Sequence, residues 1–85
     1  MKKTDVTYGQ LDKVLRSLGF SLQLIQGDPP ARRYVHEQTG ALVSIPPFPM
    51  KDFALAQYVV AARTVVDLFG IADPTVFDAK VRKAG

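Results

Sequence analysis

There is no cysteine in these 85 residues, which excludes disulfides, thiolate metal sites and cysteine nucleophiles. There is one histidine, His36, so a zinc site built from side-chain nitrogens has no second ligand of that type. Long apolar runs are missing too. The most apolar stretch, Phe53 to Ala72, is broken by Gln57, Arg63 and Asp67, which argues against a membrane span. Met1-Lys2-Lys3 leads into Thr4-Asp5 rather than into an apolar segment, so a signal peptide is not expected and a cytoplasmic protein is. No internal repeat, phosphate-cradling glycine loop, serine-centred triad or defensible acid/base pair of carboxylates is visible, and no cofactor is expected.

What is present fits one small domain with a single core. The net charge is +3, but Lys2, Lys3, Lys80, Arg82 and Lys83 lie near the ends. Residues 4–79 hold six basic residues against all eight acids, a balance of −2, so the basic character reads as a property of solvated tails.

Thr7-Tyr8-Gly9-Gln10 matches a capping box and starts a helix. Tyr8, Leu11, Val14, Leu15 and Leu18 share one face of it, with Asp12, Lys13, Arg16 and Ser17 on the other. Gly19 is placed to end it, with Phe20 folding back. Ser21 to Gln26 reads as a short strand, broken by Gly27-Asp28-Pro29-Pro30. Two alternating runs then meet at Gln38-Thr39-Gly40. A three-residue turn there sets Glu37 opposite Ala41, Val35 opposite Val43 and Arg33 opposite Ile45. That register buries Val35, Val43 and Ile45 and leaves Arg32, Tyr34, His36, Leu42 and Ser44 on the other face. A two-residue Thr39-Gly40 turn would bury Tyr34 and His36 instead.

Pro46-Pro47-Phe48-Pro49 reads as a stiff connector. A long helix follows from about Asp52 to Phe69, stopped by Gly70, with an apolar stripe about half the circumference wide and an Arg63–Asp67 pair on its polar side. Asp73-Pro74 opens a short C-terminal helix that brings Val76, Phe77 and Val81 beside the long one, while Arg82 to Gly85 is expected to fray. The expected fold is α+β: a two-layer α-β-β-β-α sandwich over residues 7–72, with a three-stranded antiparallel sheet and both helices on one face. Residues 73–85 form a helical extension and tail. The open sheet face then shows Arg32, Tyr34 and His36 in a row, which with Arg33 would make a phosphate-binding and base-stacking platform.

The order of these signals resembles the HicA family of bacterial toxins, whose fold is similar to a double-stranded-RNA-binding domain and whose active members cut messenger RNA. The matching features are Leu18-Gly19-Phe20, Gly27, Gly40, Val43-Ser44-Ile45-Pro46 and the final helix closing on Gly70-Ile71. The family's functional motif is Gly-Ser-His at the start of the second strand, its histidine acting in phosphodiester cleavage. Here the segment reads Asp28-Pro29-Pro30-Ala31-Arg32, and counting back from Gly40 puts Arg32 or Arg33 where that histidine would be. Arginine stays protonated and can hold a phosphate but cannot relay protons. The resemblance therefore implies a catalytically inactive binding module for RNA or for an antitoxin-like protein, with Arg32, Arg33, Tyr34 and His36 as RNA contacts. The alternatives are an active ribonuclease toxin using His36 and a structural domain that forms a homodimer.

Overall fold

The computed structural model describes residues 2–84. The chain runs β1 (Lys3–Thr7), α1 (Tyr8–Ser17), β2 (Ser21–Ile25), β3 (Ala31–His36), β4 (Ala41–Ile45), β5 (Phe53–Leu55), α2 (Ala56–Leu68) and α3 (Pro74–Lys83). β2, β3 and β4 form an antiparallel sheet in that order, and β1 pairs antiparallel with β5 in a second, two-stranded one.

The helix ends follow from local chemistry. The Thr7 hydroxyl accepts from the Gln10 amide at 3.1 Å and the Gln10 side chain accepts from the Thr7 amide at 2.8 Å, completing the capping box. α1 and α2 close alike. Phe20 N–H reaches Leu15 C=O and Gly19 N–H reaches Arg16 C=O, while Ile71 reaches Val66 and Gly70 reaches Asp67, all at 3.0 Å. This motif requires a left-handed residue, and Gly19 (φ 96°) and Gly70 (φ 67°) supply it.

β1 and β5 lie outside the expected pattern. Phe53–Leu55 is strand rather than the first turn of the long helix, because β1 gives it a partner: the Thr4 hydroxyl donates to Ala54 C=O at 2.9 Å. α2 therefore begins at Ala56, whose N–H bonds Lys2 C=O at 2.9 Å. Tyr8 ties this layer to the rest, stacking on Phe48 with ring centroids 5.1 Å apart and accepting from Leu55 N–H through its hydroxyl.

The core joins Leu11, Val14 and Leu15 of α1, Phe20, the inner faces of β3 and β4, Ala62 and Val66 of α2, and Phe77 and Val81 of α3. α3 packs against both α1 and α2, so the tail is part of the body. It runs through Lys83, including two residues expected to fray; Gly85 lies outside the described residues. Val76, expected to pack, is exposed. Arg63 forks onto Asp78 of α3, at 3.0 and 3.2 Å, rather than onto Asp67. α2 is covered less widely than its stripe suggests, with Leu68 75% exposed.

The hairpin departs most from expectation. His36 pairs with Ala41, Tyr34 with Val43 and Arg32 with Ile45, across a four-residue connection in which Thr39 and Gly40 N–H groups return to His36 C=O. β3 is therefore shifted by one residue, which turns its side chains over. Tyr34 and His36 lie buried beneath the helices, and Val35 faces out with Leu42. β4 faces as expected, with Ala41, Val43 and Ile45 buried.

Candidate functional site

The expected platform of Arg32, Tyr34 and His36 on the open sheet face does not exist. All three lie on the helix side of β3, and Arg33 alone points to the outer face, between Gln23 and Ser44. Tyr34 is 2% exposed, and its hydroxyl donates to Asp12 Oδ1 at 2.7 Å, so no base can stack on its ring. Asp12 also holds Arg16, whose Nε lies 3.2 Å from Oδ2. Arg32 Nη1 donates to Phe48 C=O and anchors the proline connector.

Burial, and then the adjacent Asp12 carboxylate, push the Tyr34 hydroxyl far above the ordinary tyrosine range. Its folded pKa thus exceeds the unfolded value of about 10. The stability it contributes is complete below that pH and is lost as pH rises through the folded value. Tyr34→Phe should cost about 1.5–3 kcal/mol at neutral pH, the worth of a hydrogen bond to a charged group. It should also remove part of the alkaline loss of stability, seen when denaturation midpoints of variant and parent are compared on either side of about pH 10.

His36 is held at the level of the turn. Its Nδ1 lies 2.9 Å from Thr39 Oγ1, which also accepts from the Ala41 amide at 3.2 Å. Its ring tilts against Phe20, with centroids 5.2 Å apart. The residue is 8% exposed and forms part of a cavity of about 280 Å³ lined by Leu18, Gly19, Ser21, His36, Glu37 and Gln38. A Cβ at Gly19 would sit 3.2 Å from Nε2, so glycine keeps that side of the ring open. Among the described residues no buried side-chain nitrogen or oxygen lacks a partner, and Nε2 has no protein partner, so this atom reaches the cavity. Ser21, His36 and Glu37 are residue types of a hydrolytic set, yet the imidazole is bonded to Thr39 and to neither of the others. Glu37 and His36 line the same cavity but share no hydrogen bond, so they are not pre-assembled as the acid and base that cleavage of RNA requires.

A second depression was not legible in the sequence. Lys13, Val14 and Ser17 of α1 face Lys80, Lys83 and Ala84 at the end of α3 across a cleft of about 270 Å³. No carboxylate lines it, and the two ion pairs among the described residues, Arg16–Asp12 and Arg63–Asp78, use none of its lysines. Lys80 and Lys83 in the last turn complement the α3 dipole, whereas Lys13 lies mid-helix and has no such role. The pointer to this cleft was the Phe77/Val81 pair, which docks α3 and carries its lysines to α1.

Ser17 borders the lysine cleft, and Leu18 and Gly19, the next two residues, border the His36 cavity. Both depressions therefore reach the C-terminal end of α1, with no lining residue in common. Among the described residues no three His, Asp or Glu side chains converge, and no helix is long and apolar enough to cross a membrane. Comparison of the chain with protein-family models, with curated proteins and with solved structures finds no match in any of the three.

Proposed function

We propose that the chain is a HicA-like module that binds RNA without cutting it, and that the backbone phosphates lie in the cleft between α1 and α3. The observation that carries this reading is the meeting of Lys13, Lys80 and Lys83, from two helices, around one depression with no acid in its lining. Lysines so placed neutralise phosphates and release counterions, which makes binding steeply dependent on salt. The non-hydrolytic part rests on the arginines where the resembling family has its histidine.

The test is the affinity for a short single-stranded RNA across a salt series. Replacing Lys13, Lys80 and Lys83 together by alanine should lower the slope of log K against log salt by about 2, at roughly 0.7 per phosphate contact. Arg33→Ala, on the opposite sheet face, should leave the slope unchanged. An unaltered slope in the triple variant would remove the cleft from the interface. Growth arrest on expression in bacteria, relieved by His36→Ala, would establish the ribonuclease alternative.

A further inference from the structure

The His36 cavity is chemically unlike the lysine cleft. At about 280 Å³ it lies near the lower end of small-molecule sites, roughly 300–1,000 Å³, so it admits one planar ring system rather than a whole nucleotide. Its Glu37 carboxylate repels phosphate and accepts hydrogen bonds. The Thr39 hydroxyl accepts from the Ala41 amide, and in the tautomer in which it donates to His36 Nδ1 the ring hydrogen is on Nε2, the atom that reaches the cavity. The residues that line it thus include a carboxylic acid, Glu37, an imidazole that donates from Nε2 in that tautomer, and an amide, Gln38.

Of the four RNA bases, guanine alone presents two adjacent donors, N1–H and the 2-amino group, next to an acceptor, O6. A carboxylate can take both donors while an N–H meets O6. Uracil presents a single donor flanked by two carbonyls, which face a carboxylate unfavourably. Adenine and cytosine each offer an amino group beside a bare ring nitrogen. Gly19 is exposed and, having no Cβ, leaves Nε2 uncovered on that side.

Resting on the RNA-binding reading above, we infer that the cavity formed by Leu18, Gly19, His36 and Glu37 takes one unstacked guanine from a strand whose phosphates occupy the lysine cleft at the same end of α1. The ligand is then single-stranded or looped RNA, because a paired guanine has its Watson–Crick edge occupied. Cleft and cavity divide the work: lysines supply affinity without sequence preference, and Glu37 with His36 supplies the preference.

The test compares a uridine nonamer with the same oligomer carrying one central guanosine, by fluorescence anisotropy at fixed salt. The parent chain should bind the guanosine oligomer roughly tenfold tighter, within the range of a good bidentate base contact. Glu37→Gln, at an exposed position whose loss does not threaten the fold, should bring the two affinities together. Lys13→Ala should weaken both oligomers alike and keep their ratio. Equal affinities in the parent, or a preference that Glu37→Gln retains, would overturn the guanine site and leave RNA binding standing. Binding of neither oligomer would overturn both.

Discussion

Replacing Phe77 by alanine should lower the stability of the domain by about 3–5 kcal/mol, the cost of emptying a large buried aromatic site. Phe77 has no exposed surface and sits in the one helix that touches both α1 and α2. Domains of this kind are stable by about 5–15 kcal/mol in total, so the loss is a large share of what exists. Urea denaturation followed by the helical signal would measure it, with Val76→Ala as the control: Val76 is 42% exposed on the same helix and should change stability by less than about 0.5 kcal/mol. A loss below about 1 kcal/mol for Phe77→Ala would mean that α3 is not docked as described, because truncations of docked aromatics cost several times that. The same substitution reaches the proposed interface, since Lys80 and Lys83 are carried to Lys13 by the seating of Phe77 and Val81.

The features that were readable in the sequence are those whose physics is local. A capping box needs only Thr7 and Gln10, and a left-handed helix end needs only Gly19 or Gly70 followed by an apolar residue. Asp73-Pro74 marked the start of α3, and the alternation of Ala41, Val43 and Ile45 marked the buried face of β4. The features that were not readable depend on partners distant in sequence. β5 looks like helix until β1 supplies its hydrogen bonds, and β1, with Lys3 and Asp5 exposed, buries too little to announce itself. Arg63 has a carboxylate at i+4, yet the one it reaches belongs to α3. Counting charge along the chain put Lys80 and Lys83 in a tail, while the packing of α3 puts them in the body.

The face of β3 differs from expectation for one reason: hydrophobicity alone favours burying aliphatic Val35 over Tyr34 and His36. That weighing holds only when a buried hydroxyl or imidazole finds no partner. Here Tyr34 finds Asp12, one turn along α1 from Tyr8, and His36 finds Thr39 within its own turn, so both polar atoms are satisfied and two rings fill the inner face. The expected platform of exposed aromatics is thus part of the core, and the surface proposed for RNA lies at the end of α1 instead.

Two neighbouring substitutions in β3 should therefore give opposite results. Tyr34→Ala should cost about 3–5 kcal/mol, the usual range for truncating a buried aromatic. It removes a ring that lies between α1 and the sheet, 2% exposed, and strips Asp12 of its neutral donor. Val35→Thr, one residue on, should change stability by less than about 1 kcal/mol, because Val35 pairs with Ser21 and Leu42 on the outer face, where a hydroxyl meets water and threonine keeps the β-branched shape that suits a strand. Urea midpoints of the two variants decide the register directly. The one-residue shift that would bury Val35 predicts the reverse order, because the threonine hydroxyl would then be buried without a partner while the tyrosine ring left solvent. In the paired register found here, Tyr34→Ala unfolds first by a wide margin, and on the proposed RNA-binding reading Val35→Thr binds as the parent chain does, because its face carries neither the lysine cleft nor the His36 cavity.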